Sequence, residues 1–433
     1  MPPLDLKGKV IRIAYGEDNL DQQLDEMYAE SETGDIVSDS IYRRNLAVEE
    51  RLNVKLEFLP GQPNDKFIDD VRKVISAGDD AYDIVDSMMW RINPAVFEGM
   101  FHELTDAPYL NIDQPWWYKD LIETSSIQEN RFYLVTGAQS IQTLRYMSCV
   151  FVNKSTFTDF FGSVDDFYAE VLDGKWTYDR MSEMSKAAFR DLNGNGKADE
   201  ADELGAGVVT GSMSEHFSIS SGYRFSERNK DGYPELITDQ SRNVEIMEKL
   251  YSLYYETEGV MISGDVGYYD YLTGLFGNGT MLFLPFFLNG TDYLRDSKVE
   301  YGIIPRPKLS EEDDYITSVH DRVTMFGVPV TVPDIDPICA VLESMAIESH
   351  RYVIPGYYET ALKVKYTHDD ISAQMIDMIR SKARTDFIYT SGISIRLISR
   401  DFLAKGSKDY MSMYDSKKTA AAESLAALIE TVK

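Results

Sequence analysis

Two short runs of β-branched and aromatic residues in the middle third of the chain constrain its fold most strongly. They cover residues 130–137 and 145–154. Both predict strands, because such side chains favour the half-buried surface of a sheet. Complete α/β patterns precede and follow them in a chain of 433 residues, which exceeds the size at which one core usually divides. We therefore interpret the second run as a crossing strand between two lobes. The alternative is an ordinary strand inside one large sheet.

Charge and apolar content limit the class of protein. The formal net charge is -29, so the surface repels phosphate backbones and nucleic acid is not expected as a partner. The longest apolar run, residues 281–288, is far shorter than the roughly 20 residues that span a bilayer, and it contains Pro285. Cys149 and Cys339 are the only cysteines, and their apolar surroundings predict buried free thiols. We expect a soluble globular protein.

Strands and helices alternate over the first part of the chain. Strands are predicted at residues 10–15, 54–59 and 82–87, and helices between them at residues 41–52 and 64–75. This alternation is typical of a parallel sheet, in which ligands bind outside the carboxyl ends of the strands. The turns after the first and third strands, from Gly16 and from Ser87 onward, therefore have the position of a binding site.

Further elements follow the crossing run. Strands are predicted at residues 205–210, 280–287, 299–305 and 323–332, and helices at residues 181–188, 243–254, 334–350, 371–380 and 417–432. A polar loop is expected over residues 210–216, after the first of these strands. Ser38 or Asp39 is expected to cap the first helix of the chain.

The sharpest local motif is an acidic, asparagine-rich loop. Asp191, Asn193, Asn195, Lys197, Asp199 and Asp202 stand at positions 1, 3, 5, 7, 9 and 12 of an EF-hand loop, with Gly196 at position 6. Oxygen ligands at alternate positions can surround one calcium ion, and the glycine permits the tight bend. The usual last ligand is a bidentate glutamate, and the shorter Asp202 weakens that end. The motif predicts a structural calcium site; the alternative is an acidic surface turn without metal.

Several motifs in order along nearly the whole chain carry a family resemblance. They are Trp116-Trp117 and residues 119–121, 131–137, 152–154, 176–177, 276–283, 301–308 and 357–363. With them the chain resembles the family 1 extracellular solute-binding proteins of bacterial ABC importers, which include maltose-binding proteins, and most of all the members from Gram-positive gut-type bacteria. The resemblance implies a two-lobed, periplasmic-binding-protein-like α/β fold. Each lobe would hold a mixed or parallel sheet flanked by helices, and crossing hinge strands would join the two.

The resemblance also implies how the chain divides and where it binds its ligand. The first lobe would hold residues 1–148 and 327–369, and the second lobe residues 149–326 and 370–433. The implied cleft residues are Gly16, Glu17, Asp18, Asp86, Ser87, Trp90 and Arg91 in the first lobe, Arg145 before the crossing strand, and Ser212, His216, Phe286 and Phe287 in the second.

Alternatives remain for several of these positions. Phe286 and Phe287 stand where sugar-binding members place a stacking aromatic, but they could equally be core residues. The side chains of Glu17, Asp18 and Arg91 could belong to solvated turns. The tryptophan pair at residues 116–117 is expected in the core.

The function that the resemblance implies is solute capture. The ligand would be a small solute, an oligosaccharide first of all, delivered by a monomeric protein to the permease subunits of an ABC transporter. Such proteins are exported and held at the cell surface by a lipidated cysteine. No cysteine precedes Asp5 and the opening residues are not a signal peptide, so we expect the signal peptide and anchor to lie ahead of this chain.

Two other classes of function stay open on the sequence. A secreted enzyme acting on glycans would need only a pair of carboxylates, and a ligand-free adhesin or scaffold could use the same fold. No phosphate-binding, dinucleotide-binding, zinc-protease or serine-hydrolase motif occurs. No catalytic residue is therefore assigned, and the protein is not expected to be an enzyme.

Overall fold

A computed structural model describes residues 4–16, 26–62, 65–264, 267–363 and 370–433. Its strands are β1 (Lys9–Tyr15), β2 (Val54–Pro60), β3 (Ile84–Met88), β4 (Leu134–Val135), β5 (Ser148–Asn153), β6 (Leu204–Val209), β7 (Ser226–Arg228), β8 (Pro234–Leu236), β9 (Val260–Ser263), β10 (Met281–Phe287), β11 (Tyr301–Ile304), β12 (Thr317–Ser318), β13 (Thr324–Gly327) and β14 (Ala383–Arg384).

The helices are α1 (Ile36–Leu52), α2 (Asp65–Ser76), α3 (Met89–Phe97), α4 (Lys119–Ser125), α5 (Ile141–Arg145), α6 (Lys154–Phe161), α7 (Val164–Leu172), α8 (Tyr178–Ala188), α9 (Ser212–Ser220), α10 (Ser241–Tyr255), α11 (Tyr268–Gly277), α12 (Gly290–Tyr293), α13 (Asp336–Lys363), α14 (Asp370–Ser381), α15 (Phe387–Thr390), α16 (Ile398–Lys405) and α17 (Tyr410–Glu430), with a 3-10 helix at Ser394–Leu397. Within the part of the chain that the structure describes, no helix has the length and apolar character needed to cross a membrane.

The first lobe is built on a mixed sheet with the strand order β2-β1-β3-β13-β4. β1 pairs in parallel with both β2 and β3, while β13 pairs antiparallel with β3. The carboxyl ends of β1, β2 and β3 therefore share one edge of the sheet, and the start of β13 lies at that same edge. Ile11 and Ile13 of β1 are fully buried, as the alternating sequence predicts.

The second lobe holds a mixed sheet with the order β11-β5-β10-β6-β9. β10, β6 and β9 run parallel, and β5 is antiparallel to β10. Every residue of β5 and of β10 is buried, which explains why their sequences are continuous apolar runs rather than alternating ones. Helices flank both sheets, so the predicted two-lobed α/β fold is confirmed.

The chain passes from the first sheet to the second between β4 and β5. β5 enters the second sheet at Ser148, directly after residues 145–147. The predicted limit between residues 326 and 327 falls inside β13, a strand of the first sheet, so the chain returns to the first lobe before Thr324. The predicted limits of the lobes at residues 148 and 369 stay predictions.

Three local predictions were wrong. Asp35 caps α1, its side chain accepting a hydrogen bond from the Ser38 backbone N–H at 2.8 Å, in place of Ser38 or Asp39. The predicted strand over residues 130–137 is reduced to the two residues of β4. The predicted polar loop over residues 210–216 gives way at Ser212 to the helix α9, whose short length and weak periodicity concealed it.

Trp117 and both cysteines are buried, as expected, whereas Trp116 is only half-buried and packs against the core. The Trp116 and Trp117 indole N–H groups donate to the two oxygens of Glu343, at 3.0 and 2.8 Å. Glu343 is itself buried, so the two indoles satisfy a carboxylate that burial would otherwise penalise. Cys149 and Cys339 are buried free thiols.

Candidate functional site

Backbone hydrogen bonds tie three separate chain segments together at the junction of the lobes. The carbonyl groups of residues 145–147 accept hydrogen bonds from the N–H groups of Asn289, His320 and Leu288, at 2.8, 3.2 and 3.0 Å respectively. These segments are the crossing before β5, the end of β10 and the return toward β13. The junction is therefore a hinge made of backbone from both lobes.

The same junction brings the carboxyl end of β3 against the returning segment. The N–H of Met89 donates to Val323 O at 2.8 Å, and the N–H of Trp90 donates to Asp321 O at 3.2 Å. The carboxyl ends of β3 and β10 therefore lie on either side of one hinge. We call the space between these strand ends the cleft, because open α/β sheets bind their ligands at this edge.

Trp90 and Arg91 lie at the start of α3 rather than on a loop, which corrects their predicted setting. Both side chains are half-buried. The Arg91 guanidinium lies 4.7 Å from the centroid of the Trp90 ring, within the range of a cation–π contact. The pair thus presents an aromatic face and a positive charge at the carboxyl end of β3.

The other first-lobe positions differ in exposure. Asp86 and Ser87 are buried within β3, so they form the wall beneath the strand end. Gly16 follows β1, and a Cβ atom there would stand 3.0 Å from the Phe67 ring, which explains the glycine. Glu17 and Asp18 lie outside the described residues.

Arg145 joins the crossing segment to the second lobe. Its Nη2 lies 2.6 Å from the Asp292 carboxylate, and its Nη1 donates to Gln142 Oε1 at 3.1 Å. The Arg145 side chain is only 5% exposed, whereas that of Asp292 is 30% exposed. Arg145 therefore holds the hinge through α12, and this role explains its place next to the crossing strand.

The second-lobe residues predicted from the strand-end position are more deeply buried than expected. Ser212 opens α9 and is half-buried, but His216 one turn later is fully buried. His216 Nδ1 lies 2.7 Å from Ser318 Oγ, and its ring stacks on His320 with centroids 5.2 Å apart. Burial, together with the charge of His320, holds the pKa of His216 well below its usual value. His216 is therefore a neutral hinge residue.

Phe286 and Phe287 are also fully buried at the end of β10. The Phe287 ring contacts His216 and Tyr146 with centroid separations of 4.8 and 5.9 Å. This packing favours the core alternative for both phenylalanines.

Tyrosines that the sequence analysis missed lie next to Phe286 at the same sheet edge. Tyr269 follows β9 and Tyr293 follows β10, and their rings lie 5.0 and 6.1 Å from that of Phe286. Tyr269 is half-buried and Tyr293 is 42% exposed. The signal that could have found them is their position after strands of the second sheet. They cover Phe286 and offer the aromatic faces that Phe286 itself cannot.

A charged cluster that the sequence analysis also missed lies between α9 and the hinge. Glu215 is buried in α9, and its Oε1 has no hydrogen-bond partner among the described residues, the nearest cation being Arg400 Nη1 at 3.9 Å. Burial raises the pKa of Glu215 to about 8, and the charge of Asp321 adds to the effect. Burial alone would raise the pKa of Asp321 as well. His320 and Arg396 each lie 2.9 Å from its carboxylate, and their combined effect is larger, so that pKa lies below its usual range. The cluster thus contains one carboxylate and one largely protonated acid.

The predicted calcium loop lies after α8, and its polar groups face one another. The Asp191 oxygens accept the N–H groups of Gly194 and Gly196, at 2.6 and 2.9 Å. The amides of Asn193 and Asn195 donate to the Asp199 carboxylate, at 3.0 and 2.6 Å. The groups at positions 1, 3, 5 and 9 are therefore folded into one compact turn. The oxygens of Asn193 and Asn195 accept backbone N–H groups, so both amides would have to turn to ligate an ion.

The last predicted ligand fits less well. Asp202 is buried and its two oxygens accept the N–H groups of Leu192 and Asp199, at 2.9 and 3.0 Å, so its carboxylate would have to rearrange to reach an ion. Lys197 could contribute only its backbone carbonyl, at position 7. Across the described ranges no group of three or more His, Cys, Asp and Glu side chains is arranged to hold a metal. Calcium binding stays a prediction that rests on asparagine and backbone oxygens as well as carboxylates.

Comparison with known proteins identifies the fold. No protein-family model matches the sequence, and no curated protein matches it either. Among solved structures, an ABC transporter solute-binding protein from Agrobacterium radiobacter K84 in complex with ribitol is 12% identical, with a TM-score of 0.54 and 98% of this chain and 100% of that chain covered. The maltose/maltodextrin-binding domain MalE from Bdellovibrio bacteriovorus, bound to maltotriose, is 14% identical, with a TM-score of 0.52 and coverage of 97% and 98%.

A third similar structure is UspC of M. tuberculosis, at 11% identity and a TM-score of 0.64, with 96% of this chain and 99% of that chain covered. At such identities the likeness concerns the fold alone, and it extends over nearly the whole length of each chain. This chain therefore has the two-lobed fold of ABC transporter solute-binding proteins of the maltose-binding kind. The structures from Agrobacterium radiobacter K84 and Bdellovibrio bacteriovorus are of binding proteins and not of enzymes.

Proposed function

We propose that this protein is the substrate-binding component of an ABC importer, and that it captures a sugar or polyol, foremost an oligosaccharide, in the cleft. The observation that carries the proposal is the hinge, where backbone from residues 145–147, 288–289 and 320–323 holds the strand ends of both lobes around one space. Similar structures with this fold hold ribitol and maltotriose.

The side chains at the cleft suit a polyhydroxylated ligand. A sugar presents apolar C–H faces, and Trp90 on one lobe and Tyr269 and Tyr293 on the other supply aromatic surface. A sugar also presents a rim of hydroxyl groups, each of which donates and accepts hydrogen bonds. Arg91 only donates, and Glu215, which is buried beside the hinge, could do both when protonated once a ligand reaches it. A site of this kind discriminates against ligands that lack hydroxyl groups, because its buried polar atoms would stay unpaired.

Closure around the ligand is expected to be a rotation at the hinge, driven by contacts made only when both lobes reach the solute. With this function we propose a monomer that acts outside the cell, held by a lipid anchor, and that delivers its solute to the ABC permease subunits. These features follow from the family resemblance.

The test is calorimetry and thermal shift against oligosaccharides, monosaccharides, polyols and peptides. Stabilisation by a hydroxyl-rich ligand without product formation supports solute capture. Hydrolysis of a chromogenic glycoside would instead indicate a glycan-acting enzyme. Binding of nothing in a broad panel would favour an adhesin or scaffold.

A matched pair of variants makes the site itself testable. Tyr293→Ala is expected to weaken ligand binding about tenfold or more, the usual cost of truncating an aromatic contact residue. Tyr271→Ala is the control, because Tyr271 is 40% exposed, close to the 42% of Tyr293, but its hydroxyl donates to Glu200 and not to a cleft residue. Equal affinities for the two variants would place the ligand elsewhere.

We also propose that the loop of residues 191–202 binds a structural calcium ion. The support is the compact arrangement of the groups at positions 1, 3, 5 and 9. The loop follows α8 and not a strand end at the cleft, so the ion would stabilise the second lobe without contacting the solute.

A further inference from the structure

A second cavity, separate from the cleft, lies where the first lobe meets the far end of α9. Its volume is about 440 Å³, within the range of small-molecule sites. Thr124 of α4 contributes from the first lobe, and Ile219 and Gly222 close it at the end of α9. The hairpin strand β7 and the segment 384–387 form the remaining walls. Both lobes thus contribute to a cavity of the size that a metabolite fills.

The walls carry more positive than negative charge, which is unusual for a chain of net charge -29. Three arginines, Arg224, Arg228 and Arg384, face two acidic residues, Glu227 and Asp386. The Asp386 carboxylate is occupied: it accepts the N–H groups of residues 225, 226 and 388 and the hydroxyl of residue 226, at 2.9 to 3.1 Å. Burial raises its pKa.

Arg228 fixes the wall in place without using a carboxylate. Its guanidinium donates to four backbone carbonyls, those of Glu123, Ser126 and Ile127 in the first lobe and of Gly232 in its own hairpin, at 2.6 to 3.3 Å. Carbonyl oxygens do not neutralise the guanidinium, so its positive charge remains in the wall.

Two further polar groups of the cavity wall have no hydrogen-bond partner among the described residues. Arg384 Nε and Thr385 Oγ1 are buried, and neither has a hydrogen-bond partner in the described chain. The described residues also supply no ion pair to the side chains of Arg224 or Arg384. A buried donor without an acceptor costs free energy, and native proteins rarely leave one unless something else satisfies it. An anion in the cavity would give the buried Arg384 Nε its acceptor, and the exposed Arg224 stands in the same wall.

We propose that this cavity binds a small anionic molecule through a phosphate, sulfate or carboxylate group held between Arg224 and Arg384. Guanidinium groups bind such oxyanions through two parallel N–H donors, and the Thr385 hydroxyl adds a third donor. The anionic group comes either from a free inorganic ion or from a substituent on a larger metabolite, for which 440 Å³ leaves room. The site is separate from the cleft, so a phosphate probe can be tested there without a solute.

Calorimetry at fixed ionic strength tests the proposal, with inorganic phosphate, glucose 6-phosphate and glucose as probes. Both phosphate-bearing probes are expected to bind. Arg384→Gln is expected to weaken them about tenfold or more, as does the loss of a charge-assisted hydrogen bond pair. Thr385→Val, which keeps the shape of the side chain, should weaken them less. Equal affinity for phosphate and glucose 6-phosphate would indicate a free ion, and tighter binding of glucose 6-phosphate a metabolite.

Arg295→Gln is the matched control, because Arg295 is exposed on the second lobe and its loss changes the net charge by the same amount. Its affinity for phosphate should equal that of the parent. The proposal is overturned if Arg384→Gln and Arg295→Gln bind phosphate alike, if neither phosphate probe binds, or if chloride at equal ionic strength stabilises the protein as much as phosphate does. If glucose binds equally well to the parent and to Arg384→Gln, it binds in the cleft. That result does not change the outcome for the cavity.

Discussion

Replacing Glu215 by glutamine should change how the stability of this protein depends on pH. Glu215 is 4% exposed, and its pKa of about 8 in the folded chain compares with an ordinary value of 4.5. Between these two values the folded state keeps a proton that the unfolded state has lost. The free energy of unfolding of the parent must therefore fall as pH rises, by about 1.4 kcal/mol per pH unit from this group.

The full effect, reached above pH 8, is about 4 to 5 kcal/mol as an upper bound. Glutamine resembles the protonated acid in shape and cannot ionise, so Glu215→Gln should lose this contribution. We expect the variant and the parent to unfold alike near pH 5, and the variant to become the more stable one as pH rises toward 9. The pKa of about 8 already includes the effects of Arg396 and Arg400, which favour the ionised form.

Urea denaturation at several pH values between 5 and 9 measures this difference. Glu235→Gln is the control, because Glu235 is exposed in β8 and its removal also takes away one negative charge. Its stability should run parallel to that of the parent. Parallel curves for Glu215→Gln as well would show that Glu215 titrates like an exposed glutamate, and the geometry inferred for the cluster would then be refuted.

Two further predictions concern the cleft and the loop. Trp90→Ala should weaken ligand binding by about 1–3 kcal/mol, the range of a truncated aromatic contact, with little change in the melting temperature of the free protein; a fall of several degrees would show that Trp90 serves the core instead. For the loop, the melting temperature should rise with millimolar calcium and fall in chelator, because only the folded state binds the ion, while magnesium should rescue poorly. Asp191→Ala should remove the calcium effect and leave solute affinity intact, and identical melting curves of the parent in calcium and in chelator would exclude the metal site.

The sheets could be predicted from the sequence because their strands follow simple patterns. β1 is a short run of mostly apolar residues with Ile11 and Ile13 buried on either side of Arg12, and β10 is a continuous apolar run, so each was found to within about one residue. α9 could not be found in this way. It begins at Ser212 after a glycine without a side-chain cap, and nearly all of its residues are buried, which removes the amphipathic period.

The cleft residues were less predictable, because the fold and not the local sequence assembles them. Asp321 and Arg396 are 75 positions apart and meet only because the returning segment and the helices after α14 pack together. The high pKa of Glu215 depends on burial against these distant groups, which no local pattern records. Strand-end positions did identify Trp90 correctly as a residue at the carboxyl end of β3. In the second lobe the strand-end position also predicted Phe287 as a cleft residue. Phe287 lies in the core instead, because residues at the same strand end contribute to both the core and the cleft.

One helix connects the cleft with the proposed anion cavity. α9 begins at Ser212 beside the cleft, carries Glu215 in its first turn and ends at the cavity wall, a distance of about 13 Å for its nine residues. Arg228 links the far side of that cavity to the first lobe. A solute in the cleft and an anion in the cavity would thus both contact groups from the two lobes, and each would favour the separation of the lobes at which its own contacts are complete. Any coupling between them must be reciprocal, so phosphate that tightens solute binding must itself bind more tightly once the solute is present.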